Sequence, residues 1–190
     1  MNNDFNAPRP MLIRALDQTQ QLMDAVAAED LDLPTPCPEY DVSTLRGHLL
    51  SVVGRIDLAL TGGNALDIPS ITTTTDVMGT WKERRARLDA TLTDDGVLSQ
   101  SCKLPWGTLP GAAAIGAYTG ELTTHSWDLA KATNHAGLLD ESLAVYCLPL
   151  VQRAIPAEPR GGHVPFGPVV PVADDAAPYD RLVAWQGRRP

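Results

Sequence analysis

Glu121 and His125 lie four residues apart in the stretch Gly120-Glu121-Leu122-Thr123-Thr124-His125-Ser126-Trp127-Asp128-Leu129-Ala130. On a helix that spacing makes them neighbours on one face, and Asp128, three residues on, returns to the same side. Such a pair is often only a surface contact worth a few tenths of a kcal/mol. Here, however, Ile115, Leu122 and Leu129 recur every seven residues as an apolar seam, and His125 falls into it between Tyr118 and Ala132. A carboxylate and an imidazole directed at a core need a partner, because an unpaired buried charge is costly. His48, flanked by Leu45 and Val52 on the apolar side of another helical pattern, is the third candidate. Alone it would read as a hydrogen-bonded core histidine. Together, His48, Glu121 and His125 suit a first-row divalent metal, zinc by default, with nickel, iron or manganese sharing the ligand types. Three protein ligands leave a position for water or a thiolate, which favours catalysis over a purely structural site.

The elements that must position these residues are helices. The first is expected from Arg9 or Met11 to Ala28, with Leu12, Leu16, Met23 and Val26 near one stripe. A loop with Pro34, Pro36 and Pro38 follows and cannot pair as an interior strand. Asp41 reads as the N-cap of a second helix over Val42–Leu60, terminated by Gly62-Gly63. A third, over Thr75–Leu92, carries Val77, Trp81, Leu88 and Leu92 on its stripe, together with Arg84. Such an Arg usually lays its stem along the core edge; the functional alternative is a clamp on a substrate carboxylate near the metal. Leu98–Gly107 reads as a short strand or an irregular arm. The fourth helix, about Leu109–Asn134, carries the motif, and His135 beyond it is expected to be exposed. A fifth helix over Glu141–Ile155 is expected to bend at Pro149. Beyond it prolines punctuate the chain, Val169, Val170 and Val172 allow a short extended segment, and Pro178–Trp185 allows a small helix. The expected organisation is one domain over 1–190, with a bundle over 9–155 and a wrapping tail over 156–190.

Composition sets the outer limits. Hydrophobic residues make up 44% of the 190, enough for a substantial core, and the net charge of -8 argues against nucleic acid or an anionic membrane as partner. No apolar run is long enough to span a bilayer, and Met1–Asp4 lacks the start of a signal peptide, so a cytoplasmic protein is expected. Cys37, Cys102 and Cys147 show no C-x-x-C spacing and fit reduced thiols, with Cys37 read as a small apolar filler rather than a reactive group. No G-x-S-x-G motif supports serine hydrolase chemistry.

Thr35-Pro36-Cys37-Pro38-Glu39-Tyr40-Asp41-Val42, with Leu45-Arg46-Gly47-His48-Leu49, resembles the loop and second helix of the mycothiol-dependent maleylpyruvate isomerase-like family. Glu121–Ala130 resembles the other half of that family's signature, and Asp174–Leu182 with Gly187-Arg188 looks like the tail of its short subfamily. The resemblance covers nearly the whole chain. It implies an all-α, DinB-like four-helix bundle with an extra short helix and an irregular Pro-rich tail, and it puts the metal ligands at His48, Glu121 and His125. It also implies mycothiol as cosubstrate, and DinB-like relatives are often homodimers. Tyr40 stands where the family often has Trp, and the tail is too short for the C-terminal domain of the characterised isomerases.

The expectation is thus a divalent-metal-dependent enzyme in which a low-molecular-weight thiol attacks an electrophilic small molecule, as S-transferase or isomerase. Arg84 would hold a substrate anion and Asp128 would orient a ligand from behind. A non-catalytic metal-binding bundle, acting as sensor or interaction module, is the alternative. A metal-free bundle requires His48 to lie far from His125.

Overall fold

The helix that carries the motif, α4 (Gly111–Ala132), is buried on more than one side in a computed structural model that describes residues 7–162 and 164–190. Met1–Asp4, read above for a leader, lies outside the described residues. α4 packs against α1 (Pro8–Ala25), α2 (Val42–Leu60) and α5 (Glu141–Ala154), while α3 (Val77–Thr91) packs on α2. The heptad seam therefore describes one face only. Ile115, Leu122 and Leu129 are fully buried, but so are Thr119, Thr123 and Ser126 on the other sides. The threonines fit because their hydroxyls bond back into the helix, Thr119 to the Ile115 carbonyl and Thr123 to the Thr119 carbonyl, both at 2.7 Å.

The helix ends follow their residues. The Asp41 side chain caps α2 by accepting from the Thr44 N–H at 2.7 Å. Past α4, Asn134 adopts φ 58°, and the His135 N–H closes the last turn on the Ala130 carbonyl at 2.8 Å. His135 is half-buried rather than exposed, its Nδ1 lying 2.9 Å from Thr133 Oγ1.

Two helix boundaries and one extended segment differ most from the sequence reading. α1 stops at Ala25, short of Ala28, because Val26 turns extended and Ala28–Asp30 form a single 3-10 turn. α4 starts at Gly111 rather than Leu109, because Gly107–Pro110 forms a strand, β2, antiparallel to β1 (Ser101–Leu104). Cys102 and Leu104 point inward from β1 while Ser101 and Lys103 point out, the period-2 pattern of a strand lying on a core. The valines at 169, 170 and 172 form no strand; the Val170 N–H instead donates to the Ala184 carbonyl at 3.0 Å.

The last helix, α6 (Pro178–Trp185), packs on α5 and touches α4. It closes a second apolar cluster of Trp127, Ala144, Cys147, Tyr179, Leu182 and Val183. Burying each large apolar side chain there stabilises by roughly 1.5–3 kcal/mol, so the tail is held on the bundle by ordinary packing. Among the described residues, no helix is long and apolar enough to cross a membrane.

Candidate metal centre

His48 is presented by α2 and oriented by the loop that follows it. A Cβ at Gly47 would stand 2.8 Å from the Thr72 carbonyl oxygen and 3.0 Å from Ile71, so glycine lets the loop lie directly on the helix. The Thr72 N–H accordingly donates to the Gly47 carbonyl at 3.0 Å. This close approach brings the Ser70 carbonyl oxygen to 2.8 Å from His48 Nδ1. A carbonyl can only accept, so Nδ1 carries the proton and Nε2 is turned inward, 3.2 Å from Glu121 Oε1.

His125 is oriented from its own helix. Its Nδ1 lies 3.0 Å from Asp128 Oδ2, as the three-residue spacing allows. Asp128 is fully buried, and Arg188 forks onto it, Nε to Oδ1 at 2.7 Å and Nη2 to Oδ2 at 2.8 Å. Burial alone would raise the Asp128 pKa, but the hydrogen bonds from His125 and Arg188 and the guanidinium charge bring it below the ordinary carboxyl value. The carboxylate therefore accepts from His125 Nδ1–H, which leaves Nε2 with its lone pair. Burial holds His125 below the ordinary imidazole range against the pull of Asp128, and the adjacent His48 adds to that lowering.

The two imidazoles meet with ring centroids 4.9 Å apart at 76°, and Tyr40 lies 5.1 Å from His48 and 6.3 Å from His125. The two histidines are therefore not apart, which was the condition set for a metal-free bundle. One donor atom from each of His48, Glu121 and His125 lies within 4.8 Å of the others. Ligands at about 2.0–2.1 Å from zinc stand roughly 3.4 Å apart in a tetrahedral site, so small side-chain movements suffice. The donor chemistry fits as well. Imidazole nitrogens of two rings converge with a carboxylate oxygen, a donor set that suits a divalent cation. Glu121, the most accessible of the three at 21% side-chain exposure, gives the centre its open side.

The other residues singled out from the sequence have distinct surroundings. Asp128 does stand behind His125. Arg84 does not present a free guanidinium: Nη1 donates to the Leu50 carbonyl at 2.6 Å and to Thr72 Oγ1 at 2.9 Å, fastening the loop to α2. These two bonds engage one of its three guanidinium nitrogens. Cys37 is no core filler but half-buried beside the centre, offering a ligand atom within 4.8 Å of His125 and Asp128. Burial raises its thiol pKa against the lowering charge of Arg188.

Four contributors escaped the sequence reading: Ser70 through its carbonyl, Tyr40 through its ring, Arg188 through its fork, and Arg55. The last donates Nε and Nη2 to the Ile68 carbonyl and makes no ion pair among the described residues, while its charge bears on both Tyr40 and Tyr118. Gly47 beside His48 and Gly187 beside Arg188 were the available signals.

The profile of the family described as "Mycothiol maleylpyruvate isomerase N-terminal domain" matches residues 12–130. The chain belongs to that family. The matched span holds His48, Glu121, His125 and Asp128 but ends well before Arg188. Uncharacterized proteins of two Mycobacterium tuberculosis strains are each 30% identical to this family member over 175 residues, covering 92% of it and 94% of the relative. Its DinB-like helical fold is shared with two solved structures of the mycothiol-dependent maleylpyruvate isomerase. One is a histidine-to-alanine variant (TM-score 0.61, 11% identity) and the other carries no named substitution (TM-score 0.59, 13% identity). Each alignment covers 80% of this chain and 69% of the isomerase.

Proposed function

We propose that this protein is a divalent-metal-dependent enzyme that uses a low-molecular-weight thiol of the mycothiol kind, as an S-transferase or isomerase on an electrophilic small molecule. The observation that carries the reading is the paired orientation of the imidazoles. Both Nδ1 atoms are tied outward, to Ser70 and to Asp128, and the rings converge with Glu121, His48 Nε2 lying 3.2 Å from its Oε1. Outward ties of this kind accompany metal-bound histidines and fix ring and tautomer together. Zinc is the ion that two imidazoles and a carboxylate suit best. A divalent ion held by His48, Glu121 and His125 would lower the pKa of a coordinated thiol and so supply a thiolate near neutral pH.

The chain's own residues do the rest. Ser70 and Asp128 keep the rings from turning, Tyr40 covers both imidazoles, and Glu121 borders the side open to solvent. Three unpaired cysteines fit a cytoplasmic setting.

Elemental analysis of the purified protein beside His48→Ala, Glu121→Ala and His125→Ala is the first test. Near-stoichiometric metal in the wild type, lost in the variants, supports the centre. Unchanged metal content in the variants defeats it. Mycothiol-dependent consumption of an electrophile by the metal-loaded protein then tests the activity. The non-catalytic sensor reading draws on one observation: two surface clefts, one around Arg84 and Arg87 and one under the tail around Val170 and Trp185, include no residue of the centre. Bound metal without thiol-dependent turnover would select it.

A further inference from the structure

We propose that Arg188, delivered by the C-terminal tail, is a positioning residue of the metal centre, holding Asp128 so that His125 presents Nε2 to the ion. The proposal rests on the metal reading above. It concerns a part of the chain beyond the span that the family profile matches.

The geometry is specific to Arg188. Asp128 is fully buried, and both of its oxygens are occupied from one direction by the Arg188 fork and on Oδ2 also by His125. A planar guanidinium that grips both oxygens fixes the plane of the carboxylate, which a point charge does not. The carboxylate plane in turn fixes the line along which Nδ1–H donates, and hence where Nε2 points.

The tail is built to deliver this contact. Gln186, also buried, donates to Thr124 Oγ1 at 2.7 Å, pinning the tail to the residue beside His125. At Gly187 the chain takes φ 85°, and a Cβ there would lie 2.8–2.9 Å from the Gly167 backbone. The turn between the pinned Gln186 and the docked Arg188 therefore admits only glycine without rearrangement. A structural ion pair alone does not account for this arrangement, because a buried pair is weak evidence for stability, and here the shared carboxylate oxygen is the one that holds the ligand ring.

The test titrates Co2+ into the chelator-treated full chain and follows the visible absorption of the bound ion. Arg188→Ala is expected to weaken Co2+ binding by about 10–100-fold, the range for removing an outer partner of a ligand, and to change the band shape. Arg188→Lys, which keeps the charge and loses the fork, is expected to fall between, and it serves if the alanine variant does not fold. Arg160→Ala is the control: Arg160 ties the tail through the Ala157, Gly167 and Trp185 carbonyls without touching the centre. It is expected to lower the thermal midpoint and leave Co2+ affinity and spectrum unchanged. Wild-type affinity and spectrum in both Arg188 variants would overturn the positioning role alone. So would an Arg160→Ala loss equal to that of Arg188→Ala, which would mark a general loosening of the tail. A wild-type chain that takes up no Co2+ would overturn the metal reading, and this role with it.

Discussion

His48 is tied through Nδ1 to a backbone carbonyl, that of Ser70, whereas His125 is tied to a carboxylate, that of Asp128, which Arg188 grips from behind. The first tie is neutral and depends on the path of a loop. Its determinants are steric and local: the bare Gly47, the Thr72 N–H on the Gly47 carbonyl, and Arg84 and Ser51 both on Thr72 Oγ1. The second tie is ionic and spans the chain, because its last member lies 60 residues beyond Asp128. One centre thus has a side that shape controls and a side that charge controls. The two sides should fail under different perturbations.

Removing the charge on the Asp128 side should have the largest effect. Asp128→Ala strands a buried guanidinium and frees the His125 ring. Breaking a buried pair from one end costs about 3–5 kcal/mol, so a loss of that size in urea unfolding is expected, together with weakened metal binding. A loss below about 1 kcal/mol, the scale of an exposed pair, would mean that Arg188 is effectively solvated and that the two sides do not differ in kind.

Acid should come next, and it should act on the charged side in steps. His125 sits below its ordinary value of 6.5 in the folded chain, and Asp128 below 3.8. A lowered folded value means that the unfolded chain takes the proton first. The stability contributed by His125 is therefore complete above 6.5 and is lost as pH falls from there through its folded value. That from Asp128 is lost on the further fall below 3.8. Urea midpoints of chelator-treated protein, compared with His125→Gln, should show the upper step in the wild type and a flatter profile in the variant. Identical profiles would remove His125 as the titrating group.

Steric perturbation of the His48 side should be smaller. Gly47→Ala pushes a methyl against the Thr72 backbone, and overpacking of this sort costs about 1–3 kcal/mol. Because the loop carries the Ser70 carbonyl, metal affinity should fall along with stability. Denaturation and metal titration of this variant test both. A loop that accommodates the methyl with full affinity would show that His48 needs no steric hold.

Much of the site was readable because its spacing is local. Glu121, His125 and Asp128 share one helical face by arithmetic alone, and the apolar stripe around Leu45 and Val52 turned His48 inward. For Arg84 the stripe position says which way a stem leaves the helix, not which acceptors its head finds, here Leu50 and Thr72. Cys37 was misplaced as a core filler, since a loop cysteine carries no periodicity that reports its neighbours. The hairpin was half-visible, because β1 alternates buried and exposed residues while β2 has no buried partner face.

The order of helices, their caps and the face each turns to the core were determined by the sequence itself, because they depend on residues within a few positions of one another. A helical bundle and its three candidate ligands follow from that, while its DinB-like character was implied by the family resemblance. Only the tertiary structure decided what stands behind each ligand. Ser70 contributes a carbonyl, which every residue possesses, and Arg188 contributes a guanidinium that the tail must first carry back across α4. A hydrogen bond to such partners depends on where distant backbone comes to rest, and no local pattern encodes that.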